Sequence, residues 1–147
     1  MMQITSTAFA QNAIIPQKYT CMGKNVNPPI LITGVPKDAK SLALIVEDPD
    51  APSGNFTHWI LWNIDPATKE IKENSIPKNA ASGKNDIGNT KYLGPCPPSG
   101  THRYFFTIFA LDTILDLKSG SDRKNIDQAM AHHIMDSGQL MAKFSKQ

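Results

Sequence analysis

The clearest order in the chain is an alternation of apolar positions with period two, in three separate runs. From Ser41 to Asp48 (SLALIVED) it places Leu42, Leu44, Val46 and Asp48 on one face and Ala43 and Ile45 on the other. Both faces are largely apolar, which predicts a central strand. His58 to Ile64 (HWILWNI) and Arg103 to Leu111 (RYFFTIFAL) have the same character, rich in aromatic and β-branched residues on both sides. Three such runs predict a mostly β chain built around a covered sheet.

Between the runs lie segments dense in chain breakers: 48–54 (DPDAPSG), 79–89 and 94–100 (GPCPPSG). These predict loops at strand ends. The stretch from Asp65 to Tyr92 has little periodicity and predicts a long irregular connection, of a kind that often carries function. One helix is predicted beyond Gly120, capped by Ser121 or Asp122, with Ile126, Ala129, Met130, His133 and Ile134 on one stripe. Gly138 is its expected stop, and Gln139 to Phe144 is expected to return as a short last strand or tail. No internal repeat or low-complexity segment interrupts this reading.

At 147 residues the chain is too short for two ordinary domains, so residues 1–147 are expected to form one. A hydrophobic fraction of 40% with charges of both signs interspersed fits a soluble globular protein, and no stretch approaches the ~20 apolar residues of a membrane span. Residues 1–20 lack the basic and continuous apolar regions of a signal peptide, which favours the cytoplasm. A net charge of only +2 without a basic stripe argues against nucleic acid as a partner. Cys21 and Cys96 are too few and too far apart for a metal-ligand pattern or a disulfide framework, so two free thiols in a reducing compartment are expected, both near the site described next.

The candidate chemistry lies at the strand ends. Asp48 closes one run and His58 opens the next, with a tight excursion through Pro49, Pro52 and Gly54 between them. His102 and Tyr104 are two apart, so they share a face, roughly 7 Å from each other along the strand. Phe106 and Ile108 continue that face as an apolar floor, the composition of a small ligand pocket. Asp48 beside one or both imidazoles would raise their pKa above the unperturbed ~6.5 and keep them donating to a phosphate or carboxylate. Backbone N–H groups of Gly94 and Cys96 add donors, whereas Pro95, Pro97 and Pro98 have none, so the loop is not a P-loop cradle.

Other readings stay open on these residues. Two His and one Asp are also the ligand set of a facial-triad metal site. One at a time, Asp48 reads as a turn cap and His58 and His102 as hydrogen-bonded core histidines, but four polar groups brought together argue for a pocket. Ser99 lacks the strand-to-helix elbow of a serine nucleophile. His132 and His133 project about 100° apart on the predicted helix and are poorly placed to chelate one ion.

The segments Asp48-Pro-Asp-Ala-Pro52, His58-Trp59 and Gly94-Pro-Cys-Pro-Pro-Ser-Gly-Thr-His-Arg-Tyr104 resemble the signatures of the phosphatidylethanolamine-binding protein family, also called Raf kinase inhibitor proteins, and most closely its prokaryotic-type branch. Tyr19 to Gly23, Asn27-Pro-Pro29 and Gly34-Val-Pro36 resemble that branch's N-terminal pattern, so the similarity runs through nearly the whole chain. The resemblance implies a two-sheet, β-sandwich-like fold with one main short helix near the C-terminus. It also implies a pocket for phosphate, phosphoethanolamine, acetate or similar anions. On the matching positions that pocket comprises Asp48, Pro52, His58, Gly94, Cys96, His102 and Tyr104, with Asp50 and Arg103 holding the loops. Two departures stand out: no tryptophan occurs near Thr33, and Tyr92-Leu93 precedes Gly94 where a second glycine is common, which implies a narrower rim. The eukaryotic-type C-terminal helix has no equivalent after Phe144, so kinase regulation through it does not carry over.

The leading functional expectation is a non-enzymatic anion-binding protein with a regulatory or inhibitory role. Its partners would be a small phosphorylated or carboxylated anion, a protein, or a second copy of the chain, and no cofactor is implied. The alternatives are an inhibitor of a serine protease or other enzyme acting through surface loops, and a hydrolase or metal site using Asp48, His58 and His102.

Overall fold

The structure, a computed structural model, describes residues 1–146. Its strands, in chain order, are β1 (Gln3–Thr5), β2 (Ile30–Thr33), β3 (Ser41–Asp48), β4 (Phe56–Ile64), β5 (Glu70–Ile71), β6 (Ala81–Ser82), β7 (Thr101–Leu111) and β8 (Ile134–Ser145); one helix, α1 (Arg123–Met130), precedes β8. A five-stranded sheet runs β6-β4-β3-β7-β8 and a three-stranded sheet β1-β2-β5, with every pairing antiparallel. The fold is mostly β, two sheets and one helix, as the sequence predicts. Among the described residues no helix is long and apolar enough to cross a membrane.

The three apolar runs form the centre of the large sheet, with β3 between β4 and β7. Their alternation divides the interior as predicted. Leu42, Leu44, Val46, Tyr104, Phe106 and Ile108 join Ile4, Ile30 and Ile32 of the small sheet in one core. Ala43, Ile45, Ile60 and Trp62 face the other way, against Ile126 and Met130 of α1. Apolar burial on both faces explains why these strands carry almost no polar side chains until their ends.

The family resemblance implies a second sheet, but the alternation of apolar positions locates none of its strands. Two to four residues per strand are too few for a period to register, and their burial comes from the large sheet they cover. The 65–92 connection is irregular as expected except for the two-residue strands β5 and β6.

The helix differs from expectation at its C-terminal end. Asp122 caps it, its carboxylate accepting from Asn125 N while the Asn125 side chain accepts from Asp122 N, a reciprocal capping box. It ends at Met130, not at Gly138: His132 turns left-handed at φ 68°, and His133 and Ile134 lie beyond it. Gly138 sits inside β8, opposite Ile108. The competing interaction is the free edge of β7, whose ladder β8 follows from Thr101↔Ser145 to Leu111↔Ile134. That many backbone bonds outweigh one more turn of helix whose last positions would face solvent. His133 holds Asp112 at 2.7 Å and His132 is exposed, so the two do not converge on one point.

The cysteine expectation is also corrected, because Cys21 and Cys96 form a disulfide across 75 residues of sequence. Folding lays the two backbones side by side: Cys21 N–H donates to Pro95 O at 3.1 Å, and the Cα atoms are 5.4 Å apart, within the range a disulfide spans. Closing so long a loop restricts the unfolded chain strongly. Replacing both cysteines with serine is expected to lower unfolding free energy by about 2–4 kcal/mol in urea titration, and the native protein should take up no thiol label after unfolding without reductant. Label on either cysteine would show that the bridge does not form.

Candidate functional site

The core face of the large sheet ends in a cavity of about 410 Å³. All seven residues singled out from sequence line it: Asp48, Pro52, His58, Gly94, Cys96, His102 and Tyr104. Asp48, His102 and Tyr104 arrive by simple strand alternation. The β3–β7 register, Val46↔Phe106 and Glu47↔Phe105, continued by one residue sets Asp48 opposite Tyr104, with His102 one step further on the same face.

His58 arrives differently. Along β4, Trp59 and Leu61 face the core shared with the small sheet, whereas Ile60 and Trp62 face α1. Strict alternation would put His58 on the helix side. The ladder, however, pairs Val46 with Trp59 and Glu47 with Thr57, leaving His58 as an extra residue in a β-bulge. The bulge resets the phase, so His58 turns onto the cavity face, its ring 5.4 Å from that of Tyr104 and 5.0 Å from that of Phe56.

Each ionisable group is held through one atom. Asp48 Oδ2 accepts from His102 Nδ1 at 2.7 Å and Oδ1 accepts from Asp50 N at 2.7 Å, so both carboxylate oxygens are engaged within the protein. His58 Nδ1 bonds not to Asp48 but to the carbonyl of Leu93, at 2.7 Å. A carbonyl only accepts, so Nδ1 must carry the proton, and neutral His58 turns a bare Nε2 lone pair away from that bond. Neither Nε2 has a protein hydrogen-bond partner among the described residues.

The expected rise in imidazole pKa fails for His58. Its pKa is lowered, chiefly because burial disfavours the charged ring, and the nearby His102 adds to this; the Leu93 carbonyl, Asp48 and Asp86 oppose it without prevailing. Tyr104 is only 1% exposed, and its hydroxyl has no hydrogen-bond partner. The Asp48 carboxylate and the Cys96 amide lie near that hydroxyl without hydrogen-bond geometry, and burial and the Asp48 charge together push its ionisation far above the ordinary tyrosine range.

The walls are largely apolar, with Ala51, Phe56, Ile87, Leu93, Pro97, Pro98 and the polar Ser53 completing the lining, and no Lys or Arg contributes to it. Arg103 is turned instead onto Asp50, Nε and Nη2 donating to its two oxygens at 2.9 and 2.8 Å, which holds the Asp50 carboxyl down at about 2. The pair ties the 48–54 loop to β7, as the sequence reading expects of it. The 93–98 wall is fixed at Gly94, whose N–H donates to Asn25 Oδ1 at 2.7 Å; a Cβ there would be driven into the Tyr19 carbonyl and to 2.6 Å from Asn25 Oδ1. Cys96 lies at the rim, bridged to Cys21, which itself does not line the cavity. Among the described residues no three His, Cys, Asp or Glu side chains are grouped to hold a metal ion, so the facial-triad alternative is not assembled.

The sequence reading puts the apolar floor at Phe106 and Ile108, which lie in the core and do not line the cavity, and it missed the apolar walls and Asn25. Phe56 and Leu93 flank residues it named, but nothing local marks them as wall residues, and Ile87 comes from the irregular connection.

The fold is mostly β, two sheets and one helix, with an aspartate, two histidines and a tyrosine gathered at one end of its central strands. Residues 5–145 match the phosphatidylethanolamine-binding protein family, and the chain belongs to that family. It is 44% identical to a UPF0098 protein of Methanothermobacter thermautotrophicus, over 99% of each chain, and 47% identical to one from Pyrococcus horikoshii, over 96% of this chain and 75% of that one. Among solved structures it matches a phosphatidylethanolamine-binding protein homologue of Chlamydia trachomatis with a TM-score of 0.95, 40% identity and 99% and 98% coverage. Escherichia coli YbcL, described as a member of the mammalian family, matches with a TM-score of 0.93 and 26% identity over 99% of both chains.

Two outcomes are expected at Tyr104 and His58. Burying a hydroxyl without a partner costs about 1–3 kcal/mol, so Tyr104→Phe should leave the protein as stable or about 1 kcal/mol more stable in urea titration; a loss above about 1 kcal/mol would show that the hydroxyl is satisfied. For His58 the unfolded ring protonates near its ordinary 6.5 and the native ring only at lower pH. Below that pH the unfolded state binds more protons, so stability is lost as pH falls through and below about 6.5. His58→Gln removes this loss: its stability relative to wild type should rise between about pH 7.5 and about pH 5.5, and a constant difference would contradict the assignment.

Proposed function

We propose that the cavity receives a small organic anion, a phosphate monoester or a carboxylate, and that the protein acts by binding rather than by catalysis. The observation that carries this is the buried, unpartnered Tyr104 hydroxyl, set beside two imidazoles whose Nε2 atoms have no protein partner. Polar groups left unsatisfied in an otherwise apolar wall are costly unless a ligand completes them. The apolar collar of Phe56, Ile87, Pro97 and Pro98 favours an anion carrying a carbon substituent over a bare inorganic ion. Phosphoethanolamine, the headgroup in the family's name, meets both requirements.

Catalysis has little support in the lining. The Cys96 sulfur is committed to the disulfide, and Ser53 has no hydrogen bond to either imidazole among the described residues. No nucleophile is therefore paired with a base. A regulatory or inhibitory role would follow from occupancy, the ligand being free or displayed on a partner.

Titrating phosphoethanolamine into wild type, His58→Ala and Tyr104→Phe tests the assignment. Each substitution is expected to weaken binding about tenfold or more, the worth of one hydrogen bond to a charged group. Equal affinities across the three proteins would sink it.

A further inference from the structure

The electrostatics of the cavity and the bond that holds His58 raise the question of what charge the bound state carries. The lining contains one carboxylate, Asp48, and no Lys or Arg. The nearest arginine, Arg103, is committed to Asp50. An oxyanion entering such a site would meet a lone pair, not a donor, at His58 Nε2, because the Leu93 carbonyl keeps the ring proton on Nδ1.

We propose that the cavity takes its oxyanion together with one proton, which comes to rest on His58 Nε2 and makes the N–H that holds the anion. This deepens the anion-receptor reading and rests on it. The ligand class is then the hydrogen form of a weak acid, a hydrogen phosphate monoester or a carboxylic acid, in preference to the fully ionised species. In the bound state the Nε2 lone pair has accepted the proton, the ring bears one positive charge, Nδ1–H still donates to Leu93 O and Nε2–H donates to the anion.

The surroundings of His58 suit this exchange. Asp48 from β3 and Asp86 from the connection after β6 favour the imidazolium, while His102 from β7 disfavours it. Tyr104 from β7 presents its ring edge-on, 82° from the imidazole plane. Burial is the largest influence and favours the neutral ring; an anion in contact with Nε2 supplies the opposite charge that burial alone lacks. Binding and protonation thus stabilise each other, and each is weak without the other.

Sulfate separates this inference from the reading beneath it, since sulfate does not itself titrate near neutrality. The full chain is titrated with sulfate by calorimetry in two buffers of different ionisation heat near pH 7, while the ring ¹⁵N shifts of His58 and His102 are followed. Uptake of about one proton per sulfate, affinity falling about tenfold per pH unit from about pH 7 to about pH 8, and a His58 Nε2 shift moving to the imidazolium position are expected. Sulfate binding with no proton uptake and a flat pH profile overturns the inference and leaves the anion receptor standing. A proton that appears on His102 instead overturns the assignment to His58. Absence of sulfate binding from about pH 5.5 to about pH 8 at millimolar concentration overturns the inference, and absence of phosphoethanolamine binding under the same conditions overturns the receptor reading as well.

Discussion

The hydrogen bond from His58 Nδ1 to the Leu93 carbonyl, backed by the Leu93 N–H donating to the His58 carbonyl at 3.3 Å, joins two parts of the molecule that are remote in sequence. On one side lies the bulge in β4, which exists only because β3 and β4 change register at that residue. On the other lies the 93–98 segment, whose position depends on Asn25, the Tyr19 carbonyl and Cys21 of the N-terminal third. Removing the bond would free the ring to turn, loosen the wall and leave Leu93 O without its partner. Placement of the histidine, choice of its tautomer and closure of the cavity are therefore one constraint seen from three sides.

That constraint works because the surrounding sheet does not yield. β3 is paired on both edges and buried on both faces, so its end is a fixed point from which Asp48 reaches His102 and Asp50 together. The carboxylate orients one imidazole and one loop and has no oxygen left over. The second imidazole is governed by a neutral carbonyl. Two histidines on the same cavity thus have different partners and different electrostatics, a distinction that residue type alone conceals.

The site also carries features that a merely stable fold would discard. A tyrosine hydroxyl sits buried without a partner, and a histidine is desolvated to the point that protonation is disfavoured. Phenylalanine and a neutral amide would be cheaper at these two places. Proteins depart from local optimality mainly where function requires it, and these two departures share one cavity, whereas the indole N–H groups of Trp59 and Trp62, also buried without a partner, lie outside it.

Read without coordinates, the chain already determined much of this. The period-two runs of Ser41–Asp48, His58–Ile64 and Arg103–Leu111 announce three central strands, because a strand buried on both faces must be apolar at nearly every position. Asp48, His102 and Tyr104 are legible for the complementary reason: polar side chains at the end of such a strand, two apart, share a face and gather at one edge. The helix start is legible as a cap at Ser121 or Asp122, and the structure selects Asp122. The tertiary structure decided what depends on contacts remote in sequence. It ended the helix at Met130 by offering the open edge of β7 to the residues that follow, and it assembled β1 and β2 from segments too short to show a period. It brought Cys21 to Cys96 across 75 residues, and it turned His58 by a bulge that no alternation pattern records. Local pattern fixes which face a residue occupies while the strand stays in phase; only the pairing of strands decides where the phase slips, and in this protein it slips at the residue on which the site's charge depends.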